Sequence, residues 1–252
     1  MQHEVVSRDR WLAARKDLFE REKALTRMRD DVSAAVRALP WVKIEKDYRF
    51  ETTEGTKSLP DLFGANSQLI VEHFMFAPDW EAGCIGCSFG MDHVNAAYRH
   101  IRHHDVSHVA IARAPIDTLE AYRKRMGWDV PFVSSGASDF NYDFDVSFTP
   151  EQLARGSVTY NFEEMETTAD SITDLPGASV FFKDTDGAVY HTYSCFGRGG
   201  EEVLSSYMLL DLTPKGRNEN GPYFNLMDWV RRHDEYDDDD AGPAACCHEA
   251  AE

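Results

Sequence analysis

The chain has 252 residues, of which 42% are hydrophobic and 28% charged, and these proportions exclude collagen-like, wholly disordered and disulfide-scaffold classes. Its 26 basic and 44 acidic side chains leave a net charge of −18, which repels phosphate backbones; with no Lys/Arg-rich stripe carrying interleaved aromatics, neither nucleic acid nor an anionic membrane is an expected partner. No run approaches the ~18 apolar residues of a membrane span, and the opening MQHEVVSRDRWLAARKD lacks the apolar core of a secretory signal, so the expected location is cytoplasmic.

The first 54 residues hold no glycine, and Trp11, Leu18, Leu25, Val32 and Leu39 recur every seven residues. This spacing predicts one amphipathic helix over about residues 8–38, stopped by Pro40, within an N-terminal segment 1–40. Such a seam either covers its own domain or is shared between two copies, a homodimer. Residues 41–50 alternate as a short strand, and 52–57 read as a turn into 59–63. From residue 68 the pattern becomes strand (69–76), helix (84–104), strand (108–113), helix from Asp117 with a capping-box partner at Glu120, and strand (130–133). That alternation is the signature of a parallel sheet.

Residues 134–175, rich in Ser, Asp, Thr and Asn, read as an insertion, with Thr149, Pro150 and Gln152 starting a short helix. Residues 178–183 and 188–194 are two strands joined by Asp184-Thr185-Asp186-Gly187, an Asp-Gly hairpin turn. A helix is expected over 201–210 with Val203, Leu204, Tyr207 and Leu210 inward. Eight of the acidic residues and no Lys or Arg fall in 234–252, which reads as an acidic disordered tail on a domain of residues 41–233.

Five cysteines cannot form a closed disulfide framework, because the count is odd and the expected compartment reducing. Cys84 and Cys87 form a C-x-x-C where a helix begins after an apolar strand. Side chains three apart on a helix lie about 5–6 Å apart, within the Cα separation a disulfide tolerates. A thiol in a first helical turn meets the positive end of the helix dipole and unpaired N–H groups, which favour the thiolate. The competing reading is half of a zinc site, but no second C-x-x-C or C-x-x-H occurs in the body of the chain. His93, His100 and His104 share one helical face and are expected to be solvated imidazoles rather than metal ligands. Arg113, Arg125, Arg198 and Arg217 are expected to pair carboxylates, and Cys195 to be a buried small hydrophobe.

The runs FMFAPDWEAGCIGCSFGMD and RAPIDTLEAYRKRMGWDVPFVSS, the strand ending HTYS and the later LDLTPKGR resemble thioredoxin-like bacterial proteins described as predicted dithiol-disulfide oxidoreductases. The resemblance spans about residues 8–236. It implies an α/β thioredoxin-like three-layer fold with a central mixed sheet, and catalytic roles for Cys84 and Cys87 in thiol-disulfide exchange on a disulfide-containing protein or a small-molecule thiol, with no cofactor. Trp80, on the loop before the pair, and His191, on the strand such a fold brings toward it, are the expected supporting residues. With Cys84 and Cys87, His191 would also complete a copper site of the kind found in copper-delivery proteins of this fold. The same fold also serves non-catalytic binding proteins and peroxiredoxin-like peroxidases. Against the peroxidase, Glu81 stands where peroxiredoxins place Thr or Ser, three residues before the reactive cysteine. Thioredoxin-like enzymes also place a cis-proline before the hairpin; the matching position here is Ala178, with Pro176 two residues upstream.

Overall fold

The computed structural model describes residues 3–236, and the chain divides into two units, Met1–Trp41 and Val42–Glu252. The first is helix α1 (Arg8–Arg37), close to its predicted span. Its N-cap Ser7 accepts from the Arg10 N–H, and Asp9 in the first turn and Arg37 in the last oppose the helix dipole with the favourable sign. No residue of α1 is buried.

The second unit runs β1 (Val42–Lys43), β2 (Arg49–Thr52), β3 (Gly55–Ser58), α2 (Leu59–Leu62), β4 (Gln68–His73), α3 (Ile85–Ile101), β5 (Val106–Ala112), α4 (Ile116–Arg125) and β6 (Phe132–Ser134). Then follow α5 (Phe140–Asp143), α6 (Pro150–Leu153), β7 (Ser157–Tyr160), β8 (Glu163–Glu166), β9 (Gly177–Lys183), β10 (Val189–Phe196) and α7 (Ser205–Leu210). Eight strands form one mixed sheet in the order β1-β10-β9-β4-β5-β6-β2-β3. β4, β5 and β6 are parallel, while β9 is antiparallel to β4 and β10 to β9. A β-α-β unit whose first strand lies beside a later antiparallel hairpin is the thioredoxin-like arrangement, here extended at both edges.

Alternation along β4 divides the core. Leu69, Val71 and His73 point to one face, where they meet Phe50, Phe63, Ile111, Phe140 and Phe181. The opposite face carries Ala110, Ala112 and Phe132 beneath α3 and α4, with Phe74, Met91, Leu119 and Tyr122 filling the space between. Buried aromatic side chains of this size contribute about 1.5–3 kcal/mol each by removal from water, and edge-on contacts such as Phe74–Phe132 (5.1 Å) and Phe76–Tyr122 (5.4 Å) add specificity.

Several expectations need correction. The strand expected over 41–50 is two separate pieces, β1 and β2, and the turn expected over 52–57 is confined to 53–54, with 52 and 55–57 paired in the β2–β3 ladder. Pro115, not Asp117, precedes the first turn of α4, and no side chain caps it. The insertion contains the β7–β8 hairpin, whose alternating Ser157-Val158-Thr159-Tyr160 is a strand signal only four residues long within a polar segment. The helix expected over 201–210 is a 3-10 turn followed by the shorter α7, and Val203 is exposed, not inward. The capped start at Thr149 is present, with Gln152 reaching back to the Thr149 N–H at 2.8 Å. Peptide bonds among the described residues are all trans, that of Pro176 included. Asp234 and Glu235, the first residues of the expected acidic tail, are ion-paired with Arg125 at 2.7 and 3.0 Å; residues 237–252 lie outside the described residues. No helix among the described residues is long and apolar enough to cross a membrane.

Candidate active site

After β4 the chain stays extended through Phe74–Ala77, turns at Trp80, and returns so that the Cys84 N–H donates to the Met75 carbonyl at 3.0 Å. Gly83 is required by space: a Cβ there would stand 2.4 Å from the Phe74 ring and 2.9 Å from that of Tyr122. Cys84 is the N-cap of α3, with extended-type backbone (φ −52°, ψ 137°), and is half-buried; Cys87, one turn in, is buried, and both are free thiols. Ser88, wholly buried, ties this turn together: its hydroxyl donates to the Cys84 carbonyl at 2.7 Å and shares a 2.8 Å hydrogen bond with the Tyr122 hydroxyl.

The two sulfurs are made unlike. Cys84 falls from an ordinary 9.0 to about 6, because the Cys87 thiol donates to it, the backbone N–H groups of Cys87 and Gly86 face it, and the Arg232 charge is near; burial opposes the change. No helix N–H meets Cys84 with full capping geometry, so the N–H contribution is one of proximity and dipole. Cys87 is pushed well up, first by that hydrogen bond to Cys84, then by burial and by the negative charges of Cys84 and Glu72; the Met75 N–H acts the other way. The pair is therefore an exposed-side thiolate beside a buried thiol.

Sequence alone gives no sign of Arg232. It lies 149 residues from Gly83, whose carbonyl accepts from its Nε at 3.1 Å and its Nη2 at 2.7 Å, and Glu235 holds it from behind at 2.9 Å. The same C-terminal stretch sets Leu226 over the turn, 3.3 Å from where a Gly86 Cβ would be. Glu72 is a second such residue, in sequence only one member of an apolar strand. Cys195, Ala178, Glu72, Ala110 and Phe132 are register partners across five strands, so they share the face that carries Cys87. Cys195 is accordingly not an inert hydrophobe in the core but half-buried near Glu72; burial first, and then the Glu72 charge, raises its pKa.

Of the expected supporting residues, Trp80 packs against the same cluster as Cys84 and Cys87. His191 does not join them. It is the register partner of Phe181 and contacts Phe144 at 5.2 Å, which places it on the opposite face, and a copper site built from His191, Cys84 and Cys87 fails for that reason. No group of three or more His, Cys, Asp or Glu suited to a metal occurs among the described residues; His93 meets the Ser205 hydroxyl and His104 the His100 carbonyl. The four arginines pair carboxylates as expected: Arg113 with Asp174, Arg125 with Asp234, Arg198 with Glu201, and Arg217 with Asp211. Glu81 is exposed to solvent.

The sequence matches, over residues 1–236, the model of a family described as "Bacterial protein of unknown function (DUF899)". No curated protein matches it. Among solved structures, similar chains include the peroxidoxin BcpB of Mycobacterium tuberculosis (14% identity, TM-score 0.43, covering 67% of this chain and 95% of that one). Peroxiredoxin Q of Xylella fastidiosa gives 13%, 0.44, 67% and 94%, and the mitochondrial 2-Cys peroxiredoxin of Plasmodium falciparum 11%, 0.38, 67% and 88%.

Proposed function

As the chain belongs to this family of bacterial proteins of unknown function, we propose from its own geometry that it is a dithiol-disulfide oxidoreductase working from Cys84 and Cys87. The observation that carries the reading is the asymmetry of the pair at the start of α3: a half-buried Cys84 held near pKa 6 above a buried Cys87 whose thiol is kept protonated. Thiolate is the nucleophile in exchange, and the best attacking thiol titrates near ambient pH.

In the proposed cycle the Cys84 thiolate attacks one sulfur of a substrate disulfide. An S–S bond forms to Cys84, the substrate S–S bond breaks, and the second substrate sulfur leaves as a thiolate. Loss of the Cys84 charge removes two of the influences that hold the proton on Cys87. Cys87 then loses its proton to a solvent base and attacks Cys84 Sγ. The first substrate sulfur leaves, so the substrate gains two electrons as a dithiol and the protein holds the Cys84–Cys87 disulfide. An external dithiol returns it to the reduced state. Substrates of this kind are a disulfide-bearing protein or a small disulfide, and a reducing cytoplasm is the compartment in which the cycle runs as a reductase.

Two variants test it. Cys87→Ser should attack a model disulfide and remain as a mixed disulfide visible by mass, whereas Cys84→Ser should do neither. A glutathione redox titration of the wild-type pair should give a potential within the roughly −270 to −120 mV span of oxidoreductases of this kind. If the pair never closes and neither variant reacts faster than a free thiol, the protein is a non-catalytic binding module.

A further inference from the structure

On the face of the sheet opposite Cys84 and Cys87 lies a half-open cleft of about 290 Å³. Its walls are aromatic and apolar: Tyr48, Phe144 and Phe196, the aliphatic Val42 and Ile44, and Phe162 at the tip of the β7–β8 hairpin. Phe162 is 77% exposed and held at φ +67° by that turn, with its ring 5.5 Å from Phe196. A cavity of ~150 Å³ accepts a benzene ring, so this volume takes one ring with a short side arm.

Thr159 and Asn161, on the hairpin side of the cleft, can donate hydrogen bonds; the polar groups set against the sheet are acceptors. His191 is kept neutral by burial, and its Nε2 lies 3.0 Å from the Tyr193 carbonyl and 2.8 Å from the Ser194 hydroxyl. A carbonyl can only accept, so Nε2 carries the hydrogen and Nδ1 is left as a bare acceptor. Behind it, the Ser194 and Ser179 hydroxyls share a hydrogen bond at 2.8 Å, and Ser179 shares another with the buried His73 at 2.7 Å. This series of bonds fixes the imidazole from behind. Two carboxylates stand at the rim. Asp143 is satisfied by Lys46 at 2.5 Å and the Tyr48 hydroxyl at 2.8 Å. Asp145, held at φ +53°, makes no side-chain hydrogen bond or ion pair among the described residues, and partial burial with the Asp143 charge pushes its pKa up. It is a carboxylate without a cation beside an aromatic box.

We propose that this cleft binds a small aromatic molecule carrying a protonated amine, its ring among Phe144, Phe162 and Phe196 and its ammonium on Asp145. An anion would meet Asp145 and the bare His191 nitrogen with the wrong sign. A wholly apolar ligand would cover both without giving either a partner, and acceptors that lose water without a partner weaken binding. An ammonium next to aromatic faces gains a further attraction from their quadrupoles.

The test is calorimetric titration of the full chain with 2-phenylethylamine and, separately, with phenylacetate, the same ring bearing the opposite charge. The amine should bind saturably at millimolar concentration or below and phenylacetate should not. Asp145→Asn and Phe162→Ala alter exposed side chains and should keep the parent melting temperature; each should weaken the amine about tenfold, the size expected for a lost charge-assisted contact or ring face. Cys84→Ser should bind the amine like the parent, so loss of the redox reading would leave this one standing. Equal binding of both probes, full affinity in both variants, or no saturation with amine at about 5 mM would overturn it.

Discussion

Replacing Cys87 by Ala tests the electrostatics of the pair directly. The largest influence on Cys84 is the hydrogen bond from the Cys87 thiol, and a hydrogen bond to an ionised group contributes about 1.5–3 kcal/mol. Because ~1.4 kcal/mol is a factor of ten in acidity, Cys84 should titrate at about 7 to 8 in the variant, against about 6 in the parent. The sign is fixed: the depressed pKa means the folded protein prefers the thiolate, a preference present in full above the unfolded thiol pKa and lost as pH falls through about 6. The rate at one pH is a poor readout. At pH 7 a thiol of pKa 6 is ionised ~90-fold more than one of pKa 9, but nucleophilicity falls ~20-fold over the same interval for a Brønsted slope of about 0.45, leaving only a ~4-fold advantage. The assay is therefore the pH profile of Cys84 alkylation by iodoacetamide, read by mass. A parent midpoint near 8.5, or midpoints identical in parent and variant, would refute the reasoning.

Three further outcomes follow from the packing and the ion pairs. Gly83→Ala places a methyl against the Phe74 and Tyr122 rings and should cost about 1–3 kcal/mol in urea unfolding. Arg113→Met removes the bidentate partner of Asp174, a side chain only 4% exposed, and should cost about 3–5 kcal/mol by the same measurement, with part recovered when Asp174→Leu is added. The heptad-spaced Leu25 on α1 should hold a homodimer, so light scattering at micromolar concentration should report two chains for the parent and one for Leu25→Asp; a monomeric parent would show that the seam packs within one chain and that the substitution costs folding instead.

The features legible in the sequence are those encoded locally. The seven-residue recurrence along α1, the Asp-Gly turn of the β9–β10 hairpin and the C-x-x-C at a strand-to-helix junction are each contained within one continuous segment. Arg232 is invisible there because its partner is a backbone carbonyl 149 residues away, and no local pattern distinguishes it from the adjacent Arg231. His191 falls on the other side from the one expected because side chains of a strand alternate, and the ladder shifts between His191 and Tyr193, so counting from the turn does not settle which residues of β10 face α3. Glu72 is hidden for a related reason: within LIVEHFMF one acidic residue reads as an interruption until the register places it beneath Cys87.

Glu72 and His73 are neighbours in the chain yet serve opposite sides of the sheet, one beneath the thiols and the other at the inner end of the serine relay. A systematic substitution scan through β4, β9 and β10 should therefore produce two interleaved phenotypes rather than one gradient. Changes at Glu72, Ala178 and Cys195 should disturb thiol reactivity, while those at His73, Ser179 and Ser194 should leave it and disturb the aromatic cleft. Deleting a single residue within β9 should turn the positions on one side of the cut to the other face, so that those positions exchange one phenotype for the other.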